Sequence, residues 1–431
     1  MNRIASYFQL DHFNSSIRKE AMAGLTTFLA MAYITVVNPA ILSSAGMDFG
    51  AVFVATCLAA AFGSIVMGLL GNYPIAQAPG MGQNAFFTYT IVIGMGHTWQ
   101  VALGAVFLSG ILFIILSILP IREWLINSIP LNLKLGISAG IGLFLGVIAM
   151  QNAKIVVGNP ATLVALGHLN TPPALICLFG FILIAALSAR KVIGAVIIGI
   201  LACTLLGWLF GDVKFDGVMS LPPSPAPVLM QLDLAGAFQV SLITAVLSLL
   251  LVDLFDTAGT LVGVATRANL LDEKGRLPRL ERALLSDSGA TAIGALLGTS
   301  STTSYIESAA GVEAGGRTGL TAVVTGILFI FALLFAPLVQ AIPSYATASA
   351  LLFVAVLMAR SLADLDWDDL TESAPAVLAA VTMPLAFSIS DGIGLGFITY
   401  ALIKLVLGRY KDCSMAVYVI AAIFAGKFLF L

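Results

Sequence analysis

The chain has 431 residues, 59% of them hydrophobic and only 10% charged, with a net charge of -2 at pH 7. Soluble domains carry about 25% charged residues, so this composition excludes an ordinary water-soluble globule and points to lipid as the solvent. No basic stripe tracks a phosphate backbone, which argues against nucleic acid as a partner, and no His/Cys cluster offers a metal or cofactor site.

In chain order, the first twenty residues read as a cytoplasmic amphipathic lead-in. They are not a signal peptide, because the apolar run after Arg18-Lys19 is long enough to span. Segments of about 20 apolar residues, the length a bilayer crossing needs, are predicted at 21–43, 51–71, 75–95, 98–119, 130–151, 173–189, 192–210, 239–265, 283–298, 300–314, 317–341, 344–361, 373–389 and 391–408, fourteen in all. A further apolar stretch, 414–431, reads as an extra span or a surface helix. Cys57, Cys177, Cys203 and Cys413 form no CxxC pair and read as small core residues. His12, His97 and His168 fall near segment ends or in connections.

The placement of Lys and Arg orients these spans. With the N-terminus inside, the inner connections hold Arg122, Lys134, Arg190, Lys191, Arg317, Arg360, Arg409 and Lys411, and the run Arg267, Lys274, Arg276, Arg279 and Arg282. The outer connections hold only Lys154 and Lys214.

Two segments read badly as plain helices. Tyr73–Asn84 carries two prolines and two glycines at membrane depth. Gly298–Glu307 is a polar, β-prone run between apolar spans. Such backbone is tolerated inside a bilayer only where protein or a water-filled cavity satisfies it. Each then resumes as a short helix, at Asn84–Tyr89 and Glu307–Gly311. Asn84 and Glu307 are 223 positions apart, about half the chain, and Ile129-Pro130 recurs as Ile342-Pro343 at an offset of 213. Two halves of seven spans must have opposite topology, and paired broken helices in such halves point to a binding site at the midplane.

Ionisable residues inside spans cost roughly 2.5–3.5 kcal/mol or more each, so they are functional candidates. Asp253 and Asp256 are three apart on one predicted helix, with Thr260 extending that face. Glu307 sits where a half-helix begins, facing free N–H groups that can hold a polar ligand edge. Glu313, Asp391 and Lys404 lie nearer span ends and read as interfacial. Asn84 offers donors and an acceptor, and can also serve as a helix cap. Phe86 and Phe87 follow it and can stack on a flat base. Two carboxylates and an amide suit a ligand rich in N–H donors, such as a purine base; no basic cluster is available for a phosphate.

At these residues the chain resembles the AzgA-like hypoxanthine/guanine/adenine permeases of the nucleobase–ascorbate (xanthine/uracil permease) superfamily. The resemblance runs through Gly24–Leu29 to Val37-Asn38-Pro39, Ala78–Phe87, Phe255–Leu261, and Gly298 through Tyr305 to Gly311. Gln83 departs from it, where many relatives carry leucine. The resemblance implies an all-α polytopic protein with the uracil-transporter fold: two inverted seven-span repeats, with short strands in spans 3 and 10. After the lead-in at 1–20, it implies a core domain at 21–119 and 239–341, a gate domain at 120–238 and 342–412, and a C-terminal apolar helix at 413–431. It implies import of purine bases through the inner cell membrane by proton symport, and dimers through the gate domains. Asn84, Ala85, Phe86, Phe87, Asp256, Thr260, Ile306 and Glu307 are the expected substrate contacts. Asp256 is the expected proton carrier, since Asp253 one turn away repels its charge, and Glu307 the fixed acceptor. An anion transporter of the sulfate-permease type shares the fold but fits poorly with carboxylates in the site. An intramembrane aspartyl enzyme using Asp256 with Glu307 would not need paired half-helices.

Overall fold

The computed structural model describes residues 3–119, 128–210, 213, 215, 217–239, 242–272 and 277–430. Arg122, Lys214, Lys274, Arg276 and most of the amphipathic stretch 122–128 lie outside the described residues.

The first half opens with α1 (Ile17–Met31), whose N-terminal Ser16 accepts from the Lys19 amide, followed after a break at Ala32-Tyr33 by α2 (Ile34–Ser43). Then come α3 (Phe49–Val66), capped by Asp48, a short strand β1 (Gln77–Pro79), the half-helix α4 (Met81–Ala85) and α5 (Trp99–Ile118), capped by Thr98. After α6 (Leu131–Asn152) a hairpin, β2 (Val156–Asn159) and β3 (Leu163–Leu166), leads to α7 (Pro172–Ala189) and α8 (Ala195–Leu209). The second half contains α9 (Ile243–Arg267), α10 (Leu280–Leu297), β4 (Thr302–Ser304), the half-helix α11 (Ser308–Glu313) and α12 (Gly319–Ala332). It ends with α13 (Ser344–Ala359), α14 (Leu370–Ala386), α15 (Ile389–Val406) and α16 (Met415–Phe430).

Among the described residues, nine helical stretches are long and apolar enough to cross a membrane. The shorter apolar α8 and α14, the more polar α10 with Glu281, Arg282 and Asp287, and the two broken segments complete the fourteen predicted crossings. The chain is a multi-pass membrane protein. The C-terminal stretch is no separate crossing at a distance: α16 packs along α15, with Phe424 against Gly394 and Lys427 paired to Asp391 at 2.6 Å, so the two helices run antiparallel.

Two groups of helices share most of their contacts internally. One contains α1, α2, α3, α5, α9, α10, α11 and α12; the other contains α6, α7, α8, α13, α14, α15 and α16. Small residues permit the closest approaches. A Cβ on Gly319 would fall 2.0 Å from the Gly68 carbonyl oxygen. The lead-in is tied down as well: Phe8 and Leu10 are buried against Leu320. Glu20 is fully buried, accepting from Ser15, Thr321 and the Arg317 and Thr318 amides at the start of α12, where a helix N-terminus favours negative charge.

Lys404, expected at an interface, is instead 3% exposed and pairs with Glu372 at 2.8 Å while donating to Thr371. Its stem does not reach outward because α14 supplies a carboxylate close by. Glu313 fits the interfacial expectation, exposed and 3.6 Å from Arg267. All four cysteines are buried and free.

Candidate substrate site

The two broken segments meet. β1 and β4 pair antiparallel, with Gln77 opposite Ser304, Ala78 opposite Thr303 and Pro79 opposite Thr302. The pairing extends at both ends, from Gly80 N–H to Ser301 O at 2.9 Å and from Tyr305 N–H to Ala76 O at 3.0 Å. Tyr305 also donates its hydroxyl to Pro79 O at 2.6 Å. Each backbone therefore satisfies the other where lipid offers no partner. Pro79, which has no N–H, is tolerated because it sits in a two-stranded ribbon with a free edge.

From this ribbon the two half-helices depart. Asn84 is the fourth residue of α4, its N–H donating to Gly80 O at 2.9 Å, so it is not the helix cap. Its side chain is fully buried; Oδ1 accepts from the Ser300 hydroxyl, and Nδ2 has no protein partner. Glu307 occupies the N-cap position of α11 but makes no side-chain cap bond there. Its Oε1 accepts from the Tyr33 hydroxyl at 2.5 Å, across from the break between α1 and α2.

Asp256 comes from the middle of α9. It faces Glu307, and Gln83 of α4 lies beside it. Asp256 is exposed, as are Gly259, Val262 and Thr266, which follow at helical spacing down to Arg267. The N-terminal half of the helix, from Thr244 to Leu254, is almost wholly buried. Ile306 is 49% exposed and Glu307 half-buried. A carboxylate in mid-span is not left facing lipid, so these exposures mark a water-accessible cleft. It opens toward the end of the molecule that carries Arg267 and Glu313.

The other expected contacts are placed differently. At 100° per residue, Thr260 falls toward Asp253 rather than Asp256, and it is buried, as is Asp253. The two aspartates, expected on one face, lie 60° apart, enough to turn one inward and the other into the cleft. Ala85 is enclosed, and the Phe86 and Phe87 rings are 1% and 0% exposed, so neither presents a face to the cleft here.

Behind the ribbon lies a polar cluster that sequence reasoning missed. Asp287 of α10 accepts from Thr257 (2.8 Å), Ser304 (2.7 Å) and Gln77 (3.0 Å), all fully or almost fully buried. Asp253 is 2.9 Å from the Thr291 hydroxyl. Asp287 was visible as an acid inside a predicted span. Tyr33 gave no such signal.

Two broken spans from opposite halves, joined by a ribbon and holding polar groups at membrane depth beside a one-sided cleft, define a secondary transporter. Residues 18–395 match the model of the xanthine/uracil permeases, described as Permease family. The chain belongs to that family, which is one of transporters rather than enzymes. It is 51% identical to the putative permease MJ0326 of Methanocaldococcus jannaschii, covering 100% of this chain and 99% of that one. It is 50% identical to the adenine permease AdeP of Escherichia coli, covering 98% and 95%, and 45% identical to the guanine/hypoxanthine permease PbuG of Bacillus subtilis, covering 99% of each. Among solved structures, the transmembrane domain of the cyanobacterial bicarbonate transporter BicA superposes with a TM-score of 0.68 at 15% identity, covering 86% of this chain and 96% of that one. That likeness shows the shared fold.

Proposed function

We propose that this protein imports purine nucleobases across the inner cell membrane by proton symport with alternating access. The observation that carries the reading is that Asp256 faces Glu307 at the meeting point of two broken spans, with the buried Asn84 one residue along α4 from Gln83, which stands beside Asp256. There Asn84 Nδ2 lacks a protein partner and both carboxylates can accept from ring N–H groups. Relatives of near-full length named for adenine and for guanine and hypoxanthine support the substrate class. A bicarbonate-like anion would meet two carboxylates and is disfavoured, despite the shared fold.

Alternating access follows if the helix group of residues 21–119 and 239–341 forms a core that rocks against a gate of residues 120–238 and 342–412, with 413–431 riding on the gate. With the basic connections and the N-terminus inside, the cleft at Asp256 is open to the cytoplasm. A cysteine replacing Asn269 then resists impermeant thiol reagents in intact cells, and ready labelling overturns that orientation.

Uptake of radiolabelled adenine, guanine, hypoxanthine, xanthine, uracil and bicarbonate into vesicles tests the substrate. Accumulation of purines alone supports the reading, and accumulation of bicarbonate without purines sinks it. Imposed gradients test coupling. The wild type accumulates purine only when the outside is acidic, whereas Asp256→Asn loses accumulation yet keeps exchange. Equal accumulation by the variant removes Asp256 as the proton carrier.

A further inference from the structure

One buried polar side chain at this site makes no well-formed hydrogen bond to the protein. Gln83 lies in the first turn of α4 and is 1% exposed, and neither its Oε1 nor its Nε2 has a hydrogen-bond partner. Buried polar groups are nearly always paired, so an amide with no well-formed bond beyond its approach to the Asp256 carboxylate marks a place where something else completes it. Its position says where. The amide folds back over Gly80 at the junction of β1 and α4: a Cβ there would lie 2.0 Å from Gln83 Oε1 and 2.8 Å from the Thr303 methyl of β4. The absence of a side chain at residue 80 makes the room. The amide stands beside Asp256, and the next residue, Asn84, leaves Nδ2 unused.

We infer that Gln83 is a substrate contact that selects a 6-aminopurine over a 6-oxopurine. This rests on the purine reading above and sharpens it. An amide presents an acceptor and a donor side by side, the complement of the exocyclic amine and N7 of adenine. With Nε2 donating to N7, one amine hydrogen goes to Gln83 Oε1. The other is free for the adjacent Asp256 carboxylate. A 6-oxo group has no hydrogen for either oxygen and sets its own lone pairs against both. A site built to bond a substrate N–H rejects the analogue lacking it, because its own buried groups are left unpaired. The one ring N–H of adenine, at N9, remains for Glu307.

The test is equilibrium binding of labelled adenine and hypoxanthine to the purified, full-length protein, for wild type, Gln83→Leu and Gln83→Met, together with melting of each protein without ligand. Wild type binds adenine about tenfold or more tighter than hypoxanthine. Both variants lose about tenfold in adenine affinity and change little toward hypoxanthine, so the preference collapses. Their ligand-free melting temperatures stay level or rise, because an apolar side chain of similar volume removes an unpaired buried amide. A retained adenine preference in both variants overturns the assignment. So does a fall in melting temperature in both, which makes Gln83 a structural residue. A wild-type preference for hypoxanthine overturns the assignment alone, whereas a wild type that binds neither base brings down the purine reading and the assignment with it.

Discussion

Asp253 and Asp287 stand behind the β1–β4 ribbon; Asp256 and Glu307 stand in front of it, within a few residues of the same strands. The rear pair is sealed from solvent: three donors converge on Asp287, while Asp253 accepts from Thr291 with one oxygen and leaves the other unpartnered. The front pair is open to the cleft, and Tyr33 is the side chain seen donating to Glu307. Burying a charge is tolerable only with full compensation. The difference therefore sets Asp287, which holds the scaffold, apart from Asp256 and Glu307, which wait for a ligand, with the sealed Asp253 between the two, although all four have the same chemistry.

The sharpest way to break this comparison is at the rear. Asp287→Ala strands the Ser304 donor, at about 1–3 kcal/mol, and leaves Thr257 only Thr303 and the Gln77 amide only Ser304 as partners. Little folded protein should reach the membrane, as read by size-exclusion chromatography of a fluorescent fusion. Normal yield would show that the rear cluster is not structural. At the front, Asp256→Ala and Glu307→Ala should each abolish uptake while yield and melting stay near wild type. Asp253→Asn should be milder in uptake than either; an essential Asp253 beside a dispensable Asp256 would reverse the assignment.

A smaller effect is expected at Asn84. Asn84→Ala removes amide bonds worth about 0.5–1.5 kcal/mol each, so apparent substrate affinity should fall roughly 2- to 13-fold per bond. Unchanged affinity would leave Asn84 as a partner of Ser300 only. The smallest effect belongs to Gly259, where an added Cβ meets nothing within 4 Å. Gly259→Ala should keep uptake and raise stability by roughly 0.5–1 kcal/mol, the usual difference in a helix interior. A loss of uptake would mean that the cleft closes tightly over this position during transport.

Much of the fold was legible because the bilayer punishes exceptions. The prolines and glycines of 73–84 and the hydroxyl run of 298–307 could not be ordinary spans, and they proved to be the ribbon. Asn84, Asp256 and Glu307 stood out as polar groups in apolar surroundings; Asp256 and Glu307 face each other, and Asn84 is buried against Ser300. Periodicity failed where small angles matter. Asp253 and Asp256 looked like one face, and the 60° between them is enough for Asp253 to turn in to Thr291 while Asp256 does not. Tyr33 was illegible because the break before α2 carries neither glycine nor proline, and Pro39 lies six residues further on. The β2–β3 hairpin was missed although Gly158-Asn159-Pro160 is turn chemistry. Lys404 misled because its partner, Glu372, comes from another helix.

The ribbon has a consequence for biosynthesis. Its strands are separated by more than two hundred residues, and each supplies the hydrogen bonds that the other lacks. While the ribosome is still making the second half, segment 77–79 is already at the membrane with its ladder open. It cannot be left in lipid in that condition, so the first half must wait in a shielded or hydrated setting until Thr302–Ser304 emerges. Maturation of the carrier is thus gated late in translation. Halves produced as separate polypeptides should each be short-lived alone and rescue one another when made together.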